Sequence, residues 1–356
     1  MIQLKVDNFG IILNFIPMKR KILILCYLLF LIISFSNCNK PNAEKEKQTF
    51  GILAYSLSSR QTTTASITCN AGTTCSSPPC LNICFRFNSS QDRLGNTGQI
   101  ANIPTGNAGQ NPDFKLIAAH YYELAQNANT ALGSGTILFQ PTTITDTSYP
   151  TNDVRRNAFN FADLNKTKEY DVALSVPIKN ITPATYQYMR ISLAFQEYDV
   201  KLRVNNTGAG SLDLRGRLSS FVGVNTYITT YTNTDETVTV NGFKSQGYWY
   251  FNPASFTVSG VTVNPASSTG QTSGTTVVNP IFATSPIPAG SCVVTNSFDS
   301  PLTITGKETK DINIVASLST NKSFEWKDNN GNGIWEPADG ETVVDMGLRG
   351  IRFIVY

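Results

Sequence analysis

The chain has 356 residues, of which 28 are Lys or Arg, 25 are Asp or Glu and one is His, so its formal net charge is +3. A nearly neutral chain without a basic tract is a poor nucleic-acid binder, and a single histidine excludes HExxH metalloproteases and paired-histidine metal sites within the chain. With 41% hydrophobic residues, 20 of them Phe, the chain can form a substantial core.

A signal for export lies near the start. From Met18 the sequence MKRK is followed by the apolar run ILILCYLLFLIISF and by SNC, which ends at Cys38. A short basic region, an apolar run of about 14 residues and small polar residues before the cleavage point are the form of a secretory signal. The run is shorter than the roughly 20 residues of a membrane-spanning helix. We expect translation from Met18, with residues 1–17 as an upstream extension, and removal of residues 1–37 on export.

The residues FSNC at 35–38 resemble the lipobox of bacterial lipoproteins, whose cysteine becomes the lipidated first residue. Phe35 and Asn37 depart from the strict pattern, and such loose boxes are similar to those of spirochaete lipoproteins. The resemblance implies lipidation of Cys38 and a membrane anchor, because each buried methylene contributes roughly 0.8 kcal/mol. Residues 38–50 would then be the lipidated cysteine and a flexible tether. The alternative is an ordinary signal peptide with a cysteine nearby.

Removal of residues 1–37 also changes the charge. Four of the 28 basic residues and one of the 25 acidic residues lie in this segment, which leaves 24 of each in the remaining chain. The excess of positive charge therefore belongs to the signal, and it implies no anionic partner for the mature protein.

The remaining cysteines are disulfide candidates, since export favours disulfide formation. The first four have the spacing C-x5-C-x4-C-x3-C, which contains no CxxC pair and so disfavours a zinc ribbon or a thioredoxin-like site. We predict structural disulfides in a Cys-rich loop at 69–84, with a metal site as the alternative. Five cysteines cannot all pair, and the connectivity stays open. The candidates are Cys69, Cys75, Cys80, Cys84 and Cys292.

Apolar and polar residues alternate along much of the chain, which is typical of half-buried β-strands. In the run 189–204 the apolar phase shifts between Phe195 and Tyr198, which predicts a bulge or a bend. Residues 114–125 (FKLIAAHYYELA) fit a helix or a strand, and we favour a strand from the surroundings. Asn241-Gly242 predicts a hairpin turn, because both central positions of a type I′ turn need positive φ. Further strands are predicted at 237–240, 248–251, 256–263, 302–305, 312–317 and 351–356, and a long loop at 266–278.

These elements predict an all-β fold of two antiparallel, β-sandwich-like units (Ig-like or jelly-roll-like), with long polar loops and little helix beyond the signal peptide. The sequence NNTGAG at 205–210 is the best candidate for a boundary. We therefore predict an N-terminal β domain over residues 51–205 and a C-terminal β domain over residues 211–356.

The most specific chemical motif is DNNGNGIWEPAD at 328–339. It matches the twelve-residue calcium loop, in which oxygen ligands come from positions one, three, five, seven, nine and twelve, and in which position six, here Gly333, makes a sharp turn. The motif resembles the loops of EF-hand and dockerin-like proteins, although we expect strands at both flanks. The last ligand is Asp instead of the usual Glu, so we predict weak binding, with a Kd on the order of 10⁻⁴–10⁻³ M. The alternative is a metal-free Asn/Gly-rich hairpin tip. The predicted ligands are Asp328, Asn330, Asn332, the Ile334 carbonyl, Glu336 and Asp339.

Several runs outside the signal resemble envelope lipoproteins of spirochaetes such as leptospires. The resemblance covers about three quarters of the chain and implies a location in the bacterial cell envelope, at the periplasmic or surface face of the outer membrane. It implies no catalytic residue, since those relatives are largely of unassigned activity. The runs are YMRISLAFQEYDV (188–200), GYWYF (247–251), PIPAGSCVV (286–294), SFEWKDNNGNGIWEP (323–337) and VVDMGLRG (343–350).

We therefore expect a non-enzymatic envelope lipoprotein with a structural calcium ion, a membrane anchor and a binding or structural role toward a protein or glycan. The alternatives are a carbohydrate-binding module, which a flat row of exposed Tyr and Trp would favour, and an exported glycoside hydrolase, which two facing carboxylates in a cleft would favour. No motif pairs the carboxylates, and no GxSxG surrounds a serine. The lone histidine, His120, is flanked by Ala119 and Tyr121, and we expect it to be packed instead of acting as a base.

Overall fold

The computed structural model of the protein describes residues 6–7, 10–11, 68–70, 75–95, 98–153, 156–207, 210–223, 225–271 and 293–356. The predicted signal, Cys38, the tether and Cys292 lie outside these residues. The chain divides into two compact units, residues 1–65 and 66–356. In the first unit, β1 (Val6–Asp7) and β2 (Gly10–Ile11) pair in antiparallel fashion. A search of the described residues finds no helix with the length and apolarity to cross a membrane.

The elements of regular structure in the described part of the second unit are strands and three short 3-10 helices. The 3-10 helices span Phe161–Asp163, Ile178–Asn180 and Pro337–Asp339. The strands are β3 (Cys80–Asn88), β4 (Asn107–Gln110), β5 (Asp113–Ala125), β6 (Thr136–Phe139), β7 (Thr143–Thr145), β8 (Asn157–Asn160), β9 (Asn165–Thr167), β10 (Val172–Pro177), β11 (Ala184–Thr207), β12 (Gly210–Phe221), β13 (Thr226–Asn233), β14 (Glu236–Lys244), β15 (Tyr248–Pro253), β16 (Phe256–Val258), β17 (Val261–Val263), β18 (Ser268–Gln271), β19 (Val293–Ile304), β20 (Ile312–Ser319), β21 (Phe324–Lys327), β22 (Val343–Asp345) and β23 (Ile351–Val355).

The largest sheet has the order β10-β3-β20-β23-β19-β11-β12-β15-β18, and β5 pairs with β11 and carries β6 and β9. A second sheet has the order β14-β13-β8-β7, and a third has the order β22-β21-β4, while β16 and β17 form a separate ribbon. Most described pairs are antiparallel, and the pairs β3–β20, β19–β23 and β8–β13 are parallel. This all-β, sandwich-like architecture confirms the predicted fold class, and residues 113–125 are a strand as favoured.

The long strand β11 connects two hydrophobic clusters. Met189, Ile191 and Leu193 belong to the first cluster, which also contains β3, β19, β20 and β21 side chains. Ala194 and Phe195 belong to the second cluster, which contains side chains of β8, β13 and β15. The change occurs at a register shift against β5, where Leu193 pairs with Ala119 and Phe195 with Ala118. Tyr198 and Val200 belong again to the first cluster. The predicted change of apolar phase is therefore confirmed as a bulge, but the bulge precedes Phe195, which was predicted on the same face as Leu193 and lies on the other.

The segment predicted as a domain boundary lies at the paired ends of β11 and β12. These strands pair from Phe195↔Phe221 to Thr207↔Gly210. Both predicted halves contribute to the largest sheet, since β3 lies next to β20, and β11 lies next to β19. The predicted boundary is therefore replaced by a hairpin inside one compact unit. Polar, Gly-rich composition marks a hairpin turn as readily as a linker.

One predicted turn and one predicted strand also differ from the structure. Asn241 has φ 47° but lies within β14, at a register shift between Ile228↔Gly242 and Thr230↔Thr239. The left-handed residue therefore forms a bulge, a conformation that Asn tolerates as well as it tolerates a turn. The predicted strand 256–263 is a hairpin, because Ser259 and Gly260 both have positive φ, 49° and 81°, as a type I′ turn requires.

The cysteine cluster forms two disulfides, Cys69–Cys84 and Cys75–Cys80. Cys80 and Cys84 lie in β3 and are fully buried. The backbone N–H of Cys80 also donates to Asp311 Oδ1 over 2.7 Å, just before β20. The disulfides thus attach the segment before β3 to a central strand of the largest sheet, which agrees with the structural interpretation of the cluster.

Candidate functional site

The loop at 328–339 connects β21 and β22, which pair in antiparallel fashion through Glu325↔Asp345 and Trp326↔Val343. The predicted flanking strands are therefore confirmed. The sixth residue of the loop, Gly333, has φ 71°, a conformation that is costly for residues with a Cβ. The loop ends in the 3-10 helix Pro337–Asp339.

Asp328 organises the first half of the loop. Its Oδ1 accepts the N–H of Gly331 and its Oδ2 accepts the N–H of Gly333, both over 2.9 Å. Asn330 Oδ1 accepts the N–H of Asn332 over 3.0 Å, and Asn332 Oδ1 accepts the N–H of Ile334 over 2.8 Å. These side-chain oxygens therefore point toward the inside of the loop and hold its backbone in a tight curve.

Glu336 brings the predicted ligands together. Its Oε2 accepts hydrogen bonds from Asn330 Nδ2 over 2.6 Å and from Asn332 Nδ2 over 3.0 Å. Its Oε1 accepts one from Nδ2 of Asn205, over 2.8 Å, and the same nitrogen donates to Asp339 Oδ2 over 2.7 Å. These hydrogen bonds, that from Asn205 first, hold the pKa of Glu336 below its usual value. Glu336 is thus ionised near neutral pH, although its side chain is buried.

Two residues of this arrangement were not predicted. Asn205 lies near the end of β11 and reaches Glu336 and Asp339 from more than 130 positions away, a contact that no local pattern indicates. Glu341 lies two residues beyond the twelve-residue motif, and it is buried. Its Oε1 accepts the N–H of Asn329 over 3.0 Å and its Oε2 accepts the N–H of Glu336 over 2.8 Å. A carboxylate close to position twelve was the signal that would have identified Glu341.

The donor set of the loop has the hard-oxygen chemistry that calcium prefers. Within the described residues, no group of three or more His, Cys, Asp and Glu is placed to hold a metal ion. The loop has carboxylates at Asp328, Glu336 and Asp339, and the rest of the predicted set is amide and carbonyl oxygen. The amide nitrogens of Asn330 and Asn332 face Glu336. Calcium binding at Glu336 requires these N–H donors to turn away from the carboxylate.

The loop is attached to the body of the unit at three places. The N–H of Asp328 donates to the carbonyl of Gly106 over 3.1 Å, and the N–H of Arg203 donates to the carbonyl of Trp335 over 2.8 Å. The Trp335 ring lies 4.8 Å from the ring of Phe324 and 5.8 Å from that of Phe251, measured between centroids. With the contact of Asn205, these attachments connect the conformation of the loop to β11, β15 and β21.

A groove of about 730 Å³ lies beside the loop. Its wall is mainly apolar and includes Leu218 of β12, Trp249 and Phe251 of β15, Trp335 of the loop and Met346. Val343 and Val344 of β22 also line it, and Val344 is 52% exposed at its rim. The size and the lining are those of a small-molecule pocket, which typically has a volume of about 300–1,000 Å³ and mostly hydrophobic walls.

The sequence YWYF in β15 divides its side chains between two sides of the sheet. Tyr248 and Tyr250 are buried in the second hydrophobic cluster, whereas Trp249 and Phe251 line the groove. Glycines on the neighbouring strands make room for these two rings. A Cβ at Gly270 would lie 2.6 Å from the Trp249 ring, and a Cβ at Gly216 would lie 2.2 Å from the Phe251 ring. The rings therefore lie against the backbone of their neighbours.

Asp345 is the acidic residue that lines the groove in the described part of the chain. Its carboxylate forms an ion pair with Arg349 and accepts the N–H of Gly347 over 2.7 Å. Burial raises the pKa of Asp345. Next to Asp345, the carbonyl of Met346 accepts a hydrogen bond from the Tyr198 hydroxyl over 2.9 Å. The polar groups of Asp345 and Met346 are thus occupied by contacts that stabilise the wall of the groove.

A second cavity, of about 410 Å³, is also lined by Trp335. It is lined by Gly333 and Ile334 of the loop and by charged side chains of β11 and β12, including Lys201, Arg203 and Asp213. Arg203 and Asp213 form an ion pair with Nε and Oδ1 2.6 Å apart. The loop thus forms a wall shared by an apolar groove and a charged cavity.

His120 does not belong to either cavity. It is 6% exposed, and its ring centroid lies 4.1 Å from that of Phe159. Neither ring nitrogen has a hydrogen-bond partner among the described residues, and burial lowers the pKa of His120 to about 4. The histidine is therefore packed in the core, as expected from its neighbours.

Comparisons of the chain with protein-family models, with curated proteins and with solved structures found no match.

Proposed function

We propose that the protein is a non-enzymatic, exported lipoprotein of the bacterial envelope, anchored through a lipidated Cys38, that binds a ligand in the groove beside a calcium-stabilised loop. The observation that carries the proposal is the position of Trp335. This residue of the predicted calcium loop lines the groove, so an ion that fixes the loop also fixes one wall of the groove. The two disulfides are consistent with an exported protein.

The role of calcium in this proposal is structural. An ion that binds only the folded protein stabilises it by RT ln(1 + [L]/Kd), which is about 1.4 kcal/mol at a tenfold excess over Kd. Asp328, Asn330, Asn332, the Ile334 carbonyl, Glu336 and Asp339 are the proposed ligands. Glu341 would support them, because it holds the backbone of Asn329 and Glu336.

Neither alternative function is favoured by a specific observation. A glycan-binding face requires exposed rings, but Tyr248 and Tyr250 are buried, which leaves Trp249 as the partly exposed ring of β15. A glycoside hydrolase requires two facing carboxylates, and the lining of the groove includes Asp345 as its acidic residue in the described chain. We therefore keep the proposal of a non-enzymatic protein with a ligand-binding or structural role in the envelope.

The calcium part of the proposal is tested by thermal melting and calorimetry with millimolar calcium or with a chelator. We expect calcium to raise the melting temperature of the unmodified protein and to have no effect on Asp328→Asn. Asp235→Asn is the matched control, because Asp235 is an exposed residue in the turn after β13. Equal melting temperatures with calcium and chelator, or an equal response of both variants, contradict the calcium site.

The anchor is tested separately by metabolic labelling with a fatty acid and by cell fractionation. We expect label and membrane association to be lost in Cys38→Ser and retained in Cys26→Ser, whose cysteine lies inside the predicted signal. Protease treatment of intact cells then distinguishes the surface from the periplasmic face. Label that persists in Cys38→Ser contradicts the assigned lipid site.

A further inference from the structure

We propose that the groove binds one acyl chain of a neutral or zwitterionic lipid. This inference deepens the proposed binding function and rests on it. The first argument is the character of the wall, which is formed mainly by apolar residues, among them Leu218, Trp249, Trp335, Val343 and Met346. A hydrocarbon chain has no hydrogen-bonding group to satisfy, so an apolar wall of this kind is complementary to it.

The second argument is the distribution of charge. The sequence contains no Asp, Glu, Lys or Arg between Lys244 and Asp299, a stretch that includes β15 and β18 beside the groove. The charge that does line the groove is negative, at Asp345, and it is already paired with Arg349. The cations Lys201, Arg203 and Arg215 line the smaller cavity instead. The groove is therefore suited to an uncharged chain, and its surroundings disfavour an anionic head group.

The third argument is shape. The groove has a volume of about 730 Å³ and an exposed rim at Val344. A chain that lies against Trp249 and Phe251 leaves its head group at this rim, in contact with water. An extended peptide is the other kind of occupant that a site beside the short strand β22 suggests. β22 is at the edge of its sheet and offers backbone partners to a peptide, but the apolar lining and the lack of charge on β15 and β18 favour the acyl chain.

The experiment is a titration of the protein with lysophosphatidylcholines of 10, 12 and 14 carbons, below their micelle-forming concentrations, followed by calorimetry and tryptophan fluorescence. Two of the three tryptophans, Trp249 and Trp335, line the groove. We expect saturable binding that strengthens about fourfold with each added methylene, the factor that corresponds to about 0.8 kcal/mol. Dodecanoate, which has an anionic head, is expected to bind more weakly than the lysolipid of 12 carbons.

Two valine variants provide a matched pair. Val344→Glu places a charge at the rim of the groove, and we expect it to weaken lysolipid binding more than tenfold. Val261→Glu places the same charge on β17, where Val261 is 64% exposed and does not line the groove, and we expect unchanged binding. Both positions are exposed, so both variants are expected to fold, which melting temperatures check.

Three results overturn the inference: no saturable binding, equal loss of binding in the two valine variants, or an affinity that does not depend on chain length. The first of these leaves an extended peptide as the occupant, and the last indicates recognition of the head group instead of the acyl chain. None of them bears on the calcium response of Asp328→Asn or on the labelling of Cys38, so a failure of lipid binding is distinguishable from a failure of the proposed lipoprotein function.

Discussion

At the scale of single residues, β5 contains two buried polar groups that are accommodated in opposite ways. Glu123 is fully buried and forms an ion pair with Arg190, also fully buried, with Oε2 and Nη1 3.1 Å apart. Its other oxygen accepts the N–H of Gly135 over 2.6 Å. His120 has no comparable partner among the described residues, and burial keeps it neutral. The ion pair compensates the burial of Glu123, whereas His120 avoids a buried charge by losing its proton.

The pKa of His120 predicts a pH dependence of stability. Burial lowers it from 6.5 to about 4, so between these values the unfolded chain binds a proton that the folded chain does not. The contribution of the neutral His120 to the free energy of unfolding is therefore fully present above about pH 6.5. It is lost as the pH is lowered toward 4, by about 3 kcal/mol in total. We expect urea unfolding at pH 7 and pH 4.5 to show this loss.

The variant His120→Leu isolates this contribution, since the chain has no other histidine. Carboxylates also titrate in this range, and they remain in the variant. We expect the free energy of unfolding of the variant to fall less between pH 7 and pH 4.5 than that of the unmodified protein. If both fall equally, the imidazole is not buried as the structure describes.

At the scale of elements, the bulge in β11 depends on Gly223, the glycine that follows β12. The carbonyl of Ala194 accepts N–H groups from Val222 over 3.0 Å and from Gly223 over 3.2 Å. A Cβ at Gly223 would lie 2.5 Å from Ala194 Cα and 2.7 Å from the Leu193 carbonyl oxygen. The backbone that follows β12 therefore fits closely against the bulge, where β11 passes from one hydrophobic cluster to the other.

This fit predicts different effects for two glycine variants. Gly223→Ala forces backbone to move, so we expect it to lower the free energy of unfolding by about 1–3 kcal/mol. Gly242→Ala is the control, because the nearest atom to its Cβ would be 3.8 Å away, at the Val240 carbonyl, and we expect a change within about 0.5 kcal/mol. Denaturant titration measures both. Equal effects would show that the bulge adapts to the added methyl group.

The elements that could be predicted are those with a local signal. Alternation identified β11 and its change of phase, and the motif at 328–339 identified a loop between two strands. Asn241-Gly242 was predicted as a turn but forms a bulge, because both conformations place an Asn at positive φ and the local sequence does not distinguish them. Asn205 and Glu341 were not found for a related reason. Asn205 meets the loop through tertiary packing, and Glu341 lies outside the spacing of the motif.

At the scale of the whole molecule, residues 66–356 form one compact unit, and the largest sheet places strands of both halves of the sequence next to each other. This arrangement predicts one cooperative unfolding transition, with coincident curves from near-ultraviolet circular dichroism and tryptophan fluorescence. Strand order could not be predicted, because alternation reports which face of a strand is buried and carries no information on which strand lies next to it.

The same arrangement predicts the behaviour of two fragments, residues 66–207 and 210–356. Each lacks the neighbours of its central strands, since β11 is separated from β19, and β3 from β20. We expect neither fragment to unfold cooperatively alone, and the two mixed together to recover part of the native near-ultraviolet spectrum. Cooperative unfolding of either fragment alone would instead support two independent domains.

The pairing of β3 with β20 has a consequence for the order of folding. Eight residue pairs connect the strands, from Ile312↔Leu81 to Ser319↔Asn88, so the partners lie more than two hundred residues apart. During synthesis, β3 is complete long before β20 exists, and contacts of such high sequence separation form slowly. The central sheet is therefore finished only after almost the entire chain has been delivered. A chain that ends before β20 therefore lacks the partner of β3 and cannot complete this sheet.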